Sequence, residues 1–290
     1  MLHFIILMWG FTGILGKLIH LDAYIIVWHR LLIAVLGLFT VLLLLKKSVL
    51  PLHKSHFWKS LGVGVVVALH WMTFYKSIEL STASLGILCL STATLHVTWL
   101  GPLITKQRFS WVEFLMGLIV IYGIYFVSTD FNANDFKALQ YGLCSAFFAA
   151  LFSVLNARLS KDIEPYKMSL YELFSAFVFL SFLLLFSGKL TQEVFEMTLS
   201  DFLWLLFLGL LCTSFAFLAS IEVVKRLGAF TFSLSVNLEP VYTIILAIVI
   251  LHEDELLNRN FYFGSVLIVL VVIANAFYKS RFNKENASVD

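Results

Sequence analysis

The chain has 290 residues, of which 60% are hydrophobic and 13% charged, with a formal net charge of +2. Soluble domains carry about 45–50% apolar and about 25% charged residues, so this is membrane-protein composition. So small a positive charge gives nucleic acid no electrostatic handle, and no nucleic-acid partner is expected.

Ten apolar segments are long enough for helices across ~30 Å of hydrocarbon, which needs ~20 residues. In chain order they are 2–19, 23–45, 60–78, 83–104, 111–128, 140–158, 168–187, 201–222, 229–251 and 261–278. The N-terminus, "MLHFIILMWG", has no basic lead and no clear small-residue cleavage site, and reads as the first span rather than a signal peptide. Connections between spans are short and polar. Cys89, Cys144 and Cys212 lie far apart inside apolar runs, and His53-x-x-His56 has no nearby third ligand. No disulfide, metal or cofactor is expected from that spacing.

Cation placement tests the span count. Loops 2, 4, 6 and 8 and the C-terminal tail hold fourteen of the twenty Lys and Arg residues. The odd-numbered loops hold one each, at Lys17, Lys76, Lys137, Lys189 and Arg259, and Arg30 lies within span 2. By the positive-inside rule both termini are cytoplasmic. The expectation is an all-α membrane protein of ten helices, with five in residues 1–128, a linker at 129–139, five in 140–281 and a cytoplasmic tail at 282–290. The halves look related. "LDAYIIVWHRLLIAVLGL" in span 2 parallels "PYKMSLYELFSAFVFLSF" in span 7, and five being odd, the second half must be inverted. Inverted repeats with a site at mid-membrane are a common layout of secondary transporters.

Several spans carry polar groups that hydrocarbon would not hold without a reason. Arg30 lies seven residues inside span 2, beside His29, and either snorkels to the outer interface or pairs with an acid or an anionic substrate. In span 3, His70, Thr73, Phe74 and Ser77 share one face and Trp71 and Tyr75 another, a mixture suited to an amphipathic ligand. In span 1, Thr12, Gly13 and Gly16 share a face, which favours close helix packing. Lys76 and Glu222 occupy matching places near opposite interfaces, and Glu172 lies four residues into span 7 as a weaker candidate for a cytoplasmic gate. Span 9 is the most unusual. Asn237, Glu239 and Pro240 sit at its middle, and Thr231, Ser235, Glu239, Tyr242 and Thr243 fall on one arc. Pro240 cannot donate to the carbonyl of Val236, so a kink is expected there. Glu239 either works in the site or is a neutral acid hydrogen-bonded to a neighbouring helix.

Trp9-Gly10, Arg30 and "SVNLEPVYTIILAIVILHEDE", with Asn237, Glu239-Pro240 and Glu253, resemble the drug/metabolite transporter superfamily, EamA-type, over essentially the whole chain. The resemblance implies ten helices in an inverted repeat and transport of small metabolites, usually export across a bacterial inner membrane. It adds Trp9 to the candidate site. The first half departs from the pattern. Thr94 takes the place spacing-matched to Pro240, with Gln107 against Glu253; a different register sets Gly101-Pro102 against Glu239-Pro240.

The expected function is a secondary transporter exporting small polar or amphipathic metabolites, amino-acid-like or drug-like, by alternating access. Its partners are the substrate and the lipid bilayer, with a proton as candidate coupling ion carried by Glu239. Neither G-x-x-x-x-G-K-[ST] nor G-x-G-x-x-G occurs, so no ATP coupling within the chain is expected. The competing readings are a membrane-embedded enzyme and a non-transporting scaffold. The chain lacks converging nucleophile, base and metal ligands, which argues against the enzyme.

Overall fold

The computed structural model describes residues 1–49, 53–105, 108–129 and 131–287, and the side chains of 225, 228–231, 233, 234 and 279–287 are not among those described. Gln107 therefore lies outside the described residues, as does the side chain of Thr231. Every described element is helical: α1 (Leu2–Leu18), α2 (Ala23–Leu44), α3 (Lys54–Leu80), α4 (Ala83–Leu90), α5 (Ala93–Thr105), α6 (Trp111–Val127), α7 (Ala133–Leu159), α8 (Pro165–Phe186), α9 (Leu199–Leu206), a π-helical stretch (Phe207–Phe215), α10 (Ala216–Val236), α11 (Glu239–Leu251) and α12 (Arg259–Ala287), with short 3-10 turns at Gln192–Phe195 and Glu253–Glu255. Among the described residues, seven helical segments are long and apolar enough to cross a membrane, and Leu2–Leu18, Trp111–Val127 and Glu239–Leu251 are shorter apolar helices.

The termini follow local capping chemistry. Asp22 accepts from Tyr24 N–H at the start of α2, and Asn132 with Asp135 forms a reciprocal capping box that starts α7 at Ala133. That box lies within the 129–139 stretch expected as a linker, so residues 133–139 of the expected loop are helix. Thr198 and Asp201 cap α9 in the same way, and Asp201 Oδ1 also accepts from His20 N–H, tying the end of α1 to α9.

Three expectations need correction. The 83–104 span is not one helix: it breaks at Ser91-Thr92, between α4 and α5. The loop expected between spans 8 and 9 is helical in its backbone, because α10 runs from Ala216 to Val236. The path still turns back. The Trp9 ring meets Phe217 at 6.3 Å and Phe232 at 5.8 Å, whereas a straight helix would hold those residues ~22 Å apart. Finally, Glu239 and Pro240 are not at the middle of a continuous helix. The helix stops after Val236 and resumes at Glu239, placing Pro240 in the first turn of α11. The missing N–H of Pro240 accounts for the interruption, and its fixed φ suits the first turn of the new helix.

Packing is closest where small residues face a neighbour. A Cβ on Gly10 would meet Thr243 Oγ1 at 3.1 Å, and one on Gly13 would meet Thr243 Cγ2 at 3.2 Å, so α1 lies tight against α11. A Cβ on Gly64 would sit 2.3 Å from the carbonyl oxygen of Glu172, which presses α3 onto α8. Between these contacts lies a continuous apolar core including Leu15, Val27, Leu31, Ala68, Leu173 and Leu208.

Candidate functional site

Both interrupted helices line one cavity of about 470 Å³ with the residues at their breaks. Its wall includes Ser91, Ala93 and Thr94 at the α4–α5 break and Asn237, Glu239 and Pro240 at the α10–α11 break. Thr94 is the second residue of α5 and Pro240 the second residue of α11. The volume falls in the usual range for small-molecule pockets, ~300–1,000 Å³, and the lining mixes large apolar rings with a few polar groups, as such pockets do.

Arg30 dominates the polar lining. It is 5% exposed, so it does not snorkel outward from α2. Its guanidinium lies 3.7 Å from the Trp71 ring centroid, a cation–π contact that compensates part of its desolvation. Nε donates to Thr213 Oγ1 at 3.0 Å and Nη1 to the Tyr75 hydroxyl at 3.3 Å. Thr213 is itself fixed by the π-helical stretch, donating to the Leu208 carbonyl five residues earlier at 2.8 Å. A guanidinium has five N–H donors and these bonds use two. Arg30 is held in place with donors to spare.

Glu239 forms no ion pair among the described residues. Arg30, His70 and Glu239 all line the same cavity. His70 Nδ1 contacts the carbonyl of Ser145 at 3.1 Å and its hydroxyl at 2.8 Å. A carbonyl can only accept, which places a proton on Nδ1.

Seven of the ten expected site residues share this lining: Trp9, Arg30, His70, Trp71, Asn237, Glu239 and Pro240. Three do not. Tyr75 is buried behind Arg30 and donates to the Thr12 carbonyl at 3.2 Å. Tyr242 turns towards His3, its hydroxyl 3.1 Å from Nδ1, and Ser235 lies outside the lining. The arc that grouped Ser235 and Tyr242 with Glu239 assumed an unbroken helix, and the break at Asn237-Leu238 removes that register. Sequence reading missed Ser91, Ser153 and Asn275 as lining residues. Asn275 is the most informative of these, because its buried Oδ1 has no hydrogen-bond partner among the described residues. A lone amide in the tenth span was the available signal.

Other singled-out charges have structural partners. Glu253 is 2% exposed, and its carboxylate accepts from Ala83 N–H at 2.7 Å and Ser84 N–H at 3.0 Å, capping α4. Lys76 pairs with Glu79, and Arg226 Nε donates to Glu222 Oε1 at 2.7 Å. Beyond the cavity, Thr243 Oγ1 donates to the Gly10 carbonyl at 3.2 Å, and the Tyr75–Thr12 bond lies in the same region. These contacts tie α1 to α11 and to α3.

Comparison with known proteins gives this geometry a family. An uncharacterized transporter of Bacillus subtilis (strain 168), YdfC, is 27% identical over 172 residues, covering 57% of this chain. The match covers 55% of that protein, so the chain spans about half the length of the curated relative it matches. A solved crystal structure overlays on 97% of this chain and 96% of its own, with a TM-score of 0.67 and 14% identity, which shows a shared fold. The model of the EamA-like transporter family matches residues 1–129 and 136–277. With both matched stretches together covering nearly all of its length, the chain belongs to the EamA-like transporter family.

Proposed function

We propose that this protein is a secondary transporter with ten membrane crossings, arranged as an inverted repeat of five plus five, that moves a small amphipathic metabolite by alternating access. Seven long helical segments and three shorter apolar ones supply the crossings. Three features support the repeat: the two family matches, the equal 22-residue lengths of α2 and α8, and the equivalent placing of Thr94 and Pro240. That placing favours the register with Thr94, rather than Pro102, against Pro240.

The observation that carries the reading is Arg30 and Glu239 on one mid-bundle cavity, flanked by Trp9 and Trp71, where two helices are interrupted. Interrupted helices at a repeat interface supply backbone groups and half-helix ends to a substrate. Arg30 would hold a carboxylate or other anionic group, Glu239 an ammonium, and the rings an apolar body. An amino-acid-like or drug-like zwitterion fits that division, and a proton on Glu239 is the coupling ion we propose.

The end of the bundle that carries Glu253 is the outer one if the cation-rich loops are cytoplasmic. Ala149, Ser153, Phe217 and Asn275 extend the cavity lining towards the opposite end. On this reading the transporter faces inward in the bacterial inner membrane, with both termini cytoplasmic and export as the proposed direction. A thermal-shift screen of the purified protein against metabolites tests the site. A ligand at 100 times its Kd stabilises by ~2.7 kcal/mol. Zwitterionic hits should stabilise the wild type and neither Arg30→Gln nor Glu239→Gln; hits that stabilise all three equally would place binding elsewhere. Flux of the hits in proteoliposomes separates a transporter from an enzyme or a scaffold.

A further inference from the structure

A second, smaller cavity of about 60 Å³ lies beside the first, lined by Val67, His70, Trp71, Phe152, Ser169, Glu172, Leu173 and Phe217. One water needs ~10–15 Å³ by the same measure, so the space suits a few waters rather than a metabolite. Glu172 is 3% exposed, and only one of its oxygens is partnered: Asn156 Nδ2 donates to Oε2 at 3.1 Å. Glu172 Oε1 and Asn156 Oδ1 are both buried without a hydrogen-bond partner among the described residues. No Lys or Arg pairs with Glu172 among the described residues.

From α3 the titratable group on this pocket is His70; α7 supplies Phe152 to the wall and the neutral Asn156 to the Glu172 carboxyl, and α10 supplies only Phe217. Arg30, from α2, lines the larger cavity and not this one. A fixed carboxylate in such surroundings costs several kcal/mol with no cation to offset it. A sodium ion would want more oxygens than this wall offers. A proton needs one. The amide partner suits that exchange, because Asn can donate through Nδ2 to a carboxylate or, flipped, accept through Oδ1 from a carboxylic acid. The contact survives both protonation states, which an Arg or Lys partner would not allow.

We propose that Glu172, held by Asn156, is a second proton-binding site, separate from Glu239 and sharing His70 and Trp71 as a wall with the central cavity. Proton uptake here does not depend on any substrate, so the site stands apart from the transport reading. It is tested by pH-difference infrared spectroscopy of the lipid-reconstituted protein, which reads the C=O absorption of protonated carboxyl groups. Wild type should lose a buried-carboxyl band as pH rises; Glu172→Gln should remove that band, and Glu239→Gln should leave it in place. Glu172→Asp, which keeps the acid, should shift the band rather than abolish it, and serves if Glu172→Gln does not fold. An unchanged pH-difference spectrum in Glu172→Gln, or no band shift in Glu172→Asp, overturns the proposal. So does a titration that moves when sodium replaces N-methylglucamine at fixed pH, which would make the pocket a metal-cation site.

Discussion

Glu253 belongs to the most family-diagnostic stretch of the chain, yet its geometry gives it a structural duty with a size that can be worked out. Its two carboxylate oxygens take the N–H groups of Ala83 and Ser84, and both those residues are fully buried. Truncation to Ala strands both donors away from water. An unsatisfied buried group costs ~1–3 kcal/mol. Two at a central ~1.5 kcal/mol give ~3 kcal/mol, and at ~2–4 °C per kcal/mol the melting temperature falls by ~6–12 °C. Glu253→Gln keeps one acceptor oxygen and should lose about half as much. Glu255→Gln, exposed in the same 3-10 turn, is the control and should not move. Thermal unfolding in one detergent, followed by tryptophan fluorescence, makes the comparison. If Glu253→Ala melts within about 2 °C of wild type, the carboxylate is not capping α4, and the start of that helix is held by something else.

Other expectations follow from the same contacts. Arg30→Lys keeps the charge but cannot serve Thr213, Tyr75 and a substrate together, so flux should fall by at least tenfold at normal expression; wild-type flux would reduce Arg30 to a packing residue. Gly64→Leu must displace Glu172's backbone, 2.3 Å from the new Cβ, and should cost more than 3 kcal/mol of stability or prevent folding, whereas Gly62→Leu, with open space around it, should be tolerated. In a cysteine-free background, cysteines at 137 and 189 should react with an impermeant maleimide from outside the cell, and those at 54 and 161 should not. Labelling at 54 from outside would break the proposed topology.

The sequence made the helices legible because hydrocarbon requires long apolar runs, and the runs beginning at Leu2, Ala23, Trp111 and Arg259 fall within two residues of the expected starts. It located Arg30 and Glu239 for the complementary reason: ionisable groups inside such runs are costly and must face an interior. The breaks were harder. A proline marked the one after Val236, but the break at Ser91-Thr92 carries no proline and rests on Ser and Thr back-bonds, such as Thr92 Oγ1 to the Cys89 carbonyl at 2.7 Å. Glu253 and Ser145 could not be assigned from spacing, because each serves a distant element: the start of α4 in one case and His70 in the other. Register failed for Tyr242 and Ser235 because angular arithmetic cannot cross an interruption.

The most direct test of the central claim is flux of a stabilising zwitterion in proteoliposomes, comparing wild type with Glu239→Gln at equal insertion and several pH values. The account predicts saturable, pH-dependent transport by wild type and loss or uncoupling of it in Glu239→Gln. Wild-type rates with unchanged pH dependence in Glu239→Gln would contradict it and leave Glu239 as a buried acid with no part in transport.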